Sequence, residues 1–287
     1  MKKLIVLIFT LLIVINYSVI IKAQCSDAGV CSVGGHSMEQ ENRSLFNISA
    51  SYKYGYSGKD DDVKYNSFQV GALYNVLEKT SLQFSIPYNI QSGPLGNVSG
   101  IGDLLVSVNQ NLYSDENSGF DASFGVKLAT GDDNKDNLPI PYQSGLGSND
   151  ILFAVNYSYD KFSIGAGYQL AGGRNENYYR LERGDDLLLR GAYSFQFEEF
   201  SITPQLLFIK RLAKSSIIDT TKTEEIFVEM ENSDQAQLNL LVLTNYQVSN
   251  DLSLFFDFAV PFIKREVNVD GLTRAFSASL GVKFSIN

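Results

Sequence analysis

The chain has 287 residues, 44% hydrophobic and 19% charged, with 19 Phe and 16 Tyr but no Trp, one His and two Cys. Its net charge of -9 excludes a nucleic-acid partner, because phosphate binding needs clustered Lys and Arg. A single His excludes any metal site built on several histidines and leaves His36 as the only imidazole base.

Lys2 and Lys3 give a short cationic start, Leu4 to Ile21 is almost unbroken apolar sequence, and Ala23 stands where a signal peptidase cuts. Residues 1–23 therefore read as a secretory signal peptide. The apolar run would also suit an uncleaved anchor, but Asn16, Tyr17 and Ser18 make it a poor spanning helix. Lys22, Ala23 and Gln24 before Cys25 are not the small and branched residues that lipid attachment requires. Cleavage removes Lys2, Lys3 and Lys22 and takes the net charge from -9 to -12. No later segment carries the roughly 18 consecutive apolar residues of a membrane helix, so any return to a membrane must be made by strands.

Residues 24–42 form a polar tail, expected in the periplasm. Two Cys in an exported protein usually pair, and a disulfide between Cys25 and Cys31 is the expectation. Cys25, Cys31, His36 and Met38 also compose a soft ligand set for copper or zinc, and a partner-docking tail is a third reading. A hydrolase would need His36 beside a nucleophile such as Ser37, yet no orienting acid is identifiable and the residue precedes the first strand. The expectation is no enzyme, no resident metal and no cofactor.

From Arg43 onward one pattern repeats: ten to fifteen residues alternating apolar with small or polar, then a break rich in Gly, Asn, Asp or Ser. Period two means one greasy and one wet face. About twelve such segments occur, at 43–57, 63–77, 80–91, 101–113, 119–129, 149–159, 161–172, 184–197, 199–212, 234–248, 251–263 and 273–286. The last sets Phe276, Ala278, Leu280, Val282, Phe284 and Ile286 against Ser277, Ser279, Gly281, Lys283 and Ser285. Even-numbered connections are all five residues or fewer, while the odd ones are mostly longer, reaching about 19 residues at 130–148 and about 21 at 213–233. Short turns on one side and long loops on the other are the pattern of an outer-membrane barrel.

A soluble sandwich also alternates, but its strands usually run about five or six residues. Here the wet face is Ser, Gly, Asn and Gln with few charges, a poor exterior for solubility. The expected fold is all-β: a transmembrane antiparallel up-and-down barrel of about 12 strands over residues 43–287, in the cell outer membrane of a Gram-negative-type bacterium. Tyr56, Tyr74, Tyr88, Tyr113, Tyr159 and Tyr246 near strand ends would supply interfacial girdles. By strand parity Lys53, Asp103, Lys127, Asn156, Arg190, Asn239, Asp257 and Lys283 point inward, where they either line a pore or pair with one another to plug it. In the long loop after the fifth strand, Asp132, Asn134 and Asp136 alternate as in a calcium loop. Asn137 stands where Gly is needed and Gln143 where a bidentate Glu belongs, so Asp132, Asp133 and Asp136, like Asp60 to Asp62, read as solvated loop charges.

Gly102, Asp103 and Leu104, the stretch Phe124 to Asp132, Leu138 and Pro139, and the stretch Gly145 to Asp150 resemble outer-membrane barrel transporters linked to the meta-pathway of phenol degradation. The resemblance spans roughly residues 101–212 and implies a barrel that passes small, often aromatic or apolar molecules. Two departures are Ala129, where the family commonly has Pro, and a C-terminus that does not end on an aromatic residue. The expected function is a passive channel for small solutes, with outer-membrane lipid as its surroundings. The alternative is a non-transporting barrel that displays loops or anchors a partner.

Overall fold

The computed structural model describes residues 44–58 and 62–286. The signal segment and the tail with Cys25, Cys31, His36 and Met38 lie outside the described residues. The strands are β1 (Phe46–Tyr56), β2 (Lys64–Leu77), β3 (Thr80–Gly93), β4 (Gly96–Ile101), β5 (Leu104–Ser114), β6 (Ser118–Leu128), β7 (Asp150–Tyr159) and β8 (Phe162–Leu170). They continue with β9 (Asp186–Tyr193), β10 (Phe195–Phe197), β11 (Phe200–Arg211), β12 (Ser216–Ile218), β13 (Phe227–Glu229), β14 (Ala236–Ser249), β15 (Leu252–Ile263) and β16 (Phe276–Ile286). β4 and β5 follow one another along β3, as do β9 and β10 along β11, so the wall has 12 staves. β12 and β13 form a separate hairpin within the loop between β11 and β14.

All neighbouring staves are antiparallel, and β1 pairs with β16 from Phe46 opposite Ile286 to Tyr56 opposite Phe276. That last pairing closes the sheet into a cylinder, so the wall has no free edge. The alternation sorts side chains by parity: on β16 Leu280 is 61% exposed on the outer surface, whereas its neighbour Ser279 is 7% exposed and turned inward. Outward residues such as Phe68, Val70, Phe153, Val155, Phe256 and Val282 make an apolar band around the cylinder. In water such a band would be unsupportable; in a bilayer it meets acyl chains. Small inward residues, among them Ser67, Ser85, Ser107, Ser253 and Ser277, let the opposite walls approach without filling the interior.

The turns after β2, β5, β7, β10 and β14 all lie at one end, which is the periplasmic end by the short-turn rule. Exposed Tyr74, Tyr113, Tyr159, Tyr193 and Tyr246 cluster there with Phe162, Phe195, Phe197 and Phe200, and ring contacts such as Phe46 with Tyr74 and Tyr193 with Phe195 stitch the belt. Tyr88 and Tyr56 stand toward the other end, Tyr56 only half exposed. One outer connection departs from the long-loop expectation. β3 and β4 run on as a hairpin to the tight pair Gly93 opposite Gly96, because the polar run through Gln91 and Asn97 keeps hydrogen-bonding above the apolar band.

Leu280→Arg is expected to destabilise the barrel folded into lipid vesicles by about 2–4 kcal/mol, the cost of a cation at mid-bilayer depth. Urea-titrated refolding checks it, and an unshifted midpoint would contradict a lipid-facing position 280.

Candidate functional site

The barrel interior is the candidate site. One cavity of about 580 Å³ runs from periplasmic-side residues such as Ser49, Ser201 and Lys283 up to Gln143, Leu146, Asp270 and Leu272 of two outer loops. Its size suits a small organic molecule. Those two loops, 129–149 and 264–275, fold inward and form its roof. Gly271, at φ 68°, abuts Pro141 so closely that a Cβ there would lie 2.7 Å from the proline Cα. The loops therefore touch over the lumen, and only glycine accommodates both the backbone angle and the contact.

The first loop is held by the residues that carry the family resemblance. The Asp103 carboxylate accepts from the amides of Gly131 (3.2 Å) and Leu146 (2.9 Å), while Thr130 donates to the Gly102 carbonyl and accepts from the Leu104 amide. Gly131 and Gly145 cross so tightly that a Cβ on either would sit within 2.8 Å of the other's backbone. The glycine punctuation thus serves to turn a loop into the barrel. Tyr142 packs with Val63 and Tyr65 beneath the loop tip. The expectation of solvated acids in this loop needs correction at one position: Asp133 accepts from the Glu176 amide at 2.9 Å, and Asn134 accepts from the Tyr178 amide at 2.9 Å, so loop 171–185 clasps this one from outside.

The second loop is latched by buried ions. Arg211, at the top of β11, donates to Asp186 at 2.9 Å and to Asp270 at 2.8 Å, and Arg265 stands 3.9 Å from Asp270. Beside them, Asp150 takes both Lys127 and Arg183 at 2.5 Å. Burial alone would raise the Asp270 pKa, but Arg211, Arg265 and Arg183 outweigh it and hold the carboxyl below the ordinary carboxylate range. Such a lattice is costly to desolvate and costly to break, which suits a latch better than a flexible loop.

Seven of the eight residues assigned inward by parity border this one cavity: Lys53, Asp103, Lys127, Asn156, Arg190, Asp257 and Lys283. Asn239 is fully buried and does not border it. Some of the seven also hold the fold together: Asp103 holds a loop and Lys127 pairs with Asp150. Arg190 donates to Asn156 at 2.7 Å, and Asp257 accepts from Ser279 at 3.2 Å.

The lumen is not hydrophilic throughout, which corrects the expectation of a uniformly polar interior. Leu105, Leu152, Leu188, Leu207, Ile209 and Leu241 project inward and pack around Leu272 of the second loop, with Leu146 of the first against them. Parity alone would have shown Leu207 and Ile209 on the face of Gln205 and Arg211. The cluster is an internal core on which both roof loops sit. Among the described residues no group of three His, Cys, Asp or Glu side chains is arranged to hold a metal.

No family model and no curated protein matches the chain. Solved structures do. An outer membrane channel from Pseudomonas putida F1 is similar at TM-score 0.62 and 16% identity, over 85% of this chain and 96% of that one. The NanC porin is similar at TM-score 0.51 and 10% identity, over 84% of this chain and 99% of that one. At these identities the likeness is one of fold: an outer-membrane β-barrel.

The latch has a definite pH sign. A carboxyl whose folded pKa is depressed stabilises above its unfolded value and loses that contribution only as pH falls through the folded one. Hydrogen exchange at the amides of Leu272 and Thr273, corrected for intrinsic rate, should stay protected from neutral pH down to about 4. Asp270→Asn should cut this protection by two to three orders of magnitude or more at neutral pH, since breaking a buried pair costs about 3–5 kcal/mol. Protection already lost near pH 6 in the wild type would contradict the latch.

Proposed function

We propose that the protein is an outer-membrane channel for passive movement of small solutes, apolar or aromatic compounds among them. The observation that carries the reading is the cavity of about 580 Å³ along the barrel interior, walled by Ser, Asn, Gln and a few charges and enclosed by a lipid-compatible exterior. A narrow 12-stave wall leaves room for one small molecule and not for the wide aqueous channel of larger porins. In this reading Lys53, Asp103, Lys127, Asn156, Arg190, Asp257 and Lys283 are pore-lining, while Asn239 is buried outside the cavity lining. The apolar or aromatic preference is supported by the resemblance at residues 101–212 and by the leucines that border the cavity below the roof.

A barrel that only displays its loops is the second reading, favoured by the roof contact between Pro141 and Gly271. Purified protein in planar bilayers decides between them. The channel should give discrete conductance steps, with larger steps in Asp270→Asn as the roof loosens, and vesicles carrying it should admit phenol-sized solutes faster than empty ones. Silence of both wild type and variant in both assays would leave only display.

A further inference from the structure

One inward ring interrupts the polar lower wall. The strand registers set Ser201, Asn245, Phe255, Gly281, Ser51 and Gln69 side by side on β11, β14, β15, β16, β1 and β2. All six have inward parity, and all except Gly281 border the cavity. Ser, Asn and Gln suit a wet wall at this level, but a phenylalanine does not. Leaving its ring in contact with lumen water forfeits the free energy of burial, so the position gains only if something apolar covers the ring.

The leucine core does not cover it. That core begins two inward steps higher, at Ala259 and Leu241. The other rings that border the cavity are placed differently: Tyr65 is 4% exposed with the Arg274 guanidinium over its face, and Phe258 has outward parity. Phe255 is half-buried, and Gly281 sets its pose. A Cβ at position 281 would collide with Cζ and Cε1 of the ring, so the ring tip lies over the glycine and screens it from the cavity. Any side chain at 281 would lift the ring off the wall. Asn245 stands opposite Phe255 on β14, and Ser51 stands beyond Gly281 on β1, so an amide and a hydroxyl flank the ring along its rung.

We infer that Phe255, laid over Gly281, is the specificity-determining residue of the lumen: a stacking surface for a planar aromatic solute that carries a small polar group. This deepens the channel reading and rests on it, since the stacked molecule is the solute in transit. Ring contacts add attraction beyond the area they bury, which a saturated ring of equal size does not gain.

Phenol and cyclohexanol separate the contributions, because they are close in size, each carries one hydroxyl and only phenol is planar and aromatic. Titration calorimetry on the purified full-length protein in a neutral detergent, with the detergent alone as blank, should show phenol binding about two- to tenfold more tightly. Phe255→Leu should weaken phenol and leave cyclohexanol unchanged, while Phe255→Tyr retains the preference. Gly281→Ala keeps the ring but displaces it, and should weaken phenol as Phe255→Leu does. A readout that needs no variant is the proton spectrum of phenol, whose ring resonances should move upfield on binding to the wild type as they enter the face of Phe255. Equal affinity for the two solutes, no upfield movement, or a preference that both Phe255→Leu and Gly281→Ala leave intact would overturn the inference. So would a Phe255→Leu protein that admits both solutes faster into vesicles with its binding preference unchanged, since the ring would then only narrow the lumen. Vesicle influx keeps the two ideas apart. Phenol preference without influx sinks the channel and leaves the ring site, whereas influx with equal binding sinks the ring site alone.

Discussion

The structure depends on one constraint: in hydrocarbon each backbone amide must find its partner within the protein, and a sheet can meet that demand only by closing on itself. The pairing of β1 with β16 over eleven residues is where the demand is met. Once the cylinder is closed, side-chain parity has no freedom left. Every second residue faces lipid and every other one faces the lumen, so a single-residue slip would put Lys283 or Asp257 into acyl chains and phenylalanines into the interior. The apolar band, the tyrosine-rich periplasmic belt and the charged lumen are all outcomes of that sorting.

The lumen then becomes a second, private solvent. Charges near its roof are buried while those lower down are partly exposed, and the chain uses the two settings differently. At the roof, Arg211, Asp186, Asp270, Arg265, Asp150, Lys127 and Arg183 neutralise one another and fix loops in place. Lower down, cations outnumber acids and the wall is lined with hydroxyls. Between the two lies a leucine core that no lipid touches, so the interior is layered from ionic through apolar to polar.

Much of this could be read from residue order. Alternation placed the staves to within a few residues, because period two survives wherever one face is greasy, and the rule of short and long connections oriented the barrel. Parity also turned the isolated charges inward. What alternation could not show is which inward residues are used by loops, because the contacts of Asp103 with Gly131 and Leu146, or of Arg211 with Asp270, join positions far apart in sequence. The leucines at 105, 152, 188 and 207 broke the expected polar face for the same reason: their partners, Leu146 and Leu272, are in loops whose inward course has no periodic signature. A signal was present at glycines 131, 145 and 271, where ordinary side chains would not fit, but it became readable only when the facing segments were known. Asn239 has the inward parity yet is buried near the outer end of β14 and does not border the cavity, since parity gives direction and not depth.

The most direct test uses the absence of native tryptophan. Single Trp residues placed at Leu280 and at Ser279, neighbours on β16, should respond oppositely in vesicles containing brominated lipid. The account predicts strong quenching at position 280 and little at 279, with acrylamide from the aqueous phase giving the reverse order. Equal quenching of both by lipid, or lipid quenching confined to 279, would contradict a closed cylinder with a water-accessible hollow.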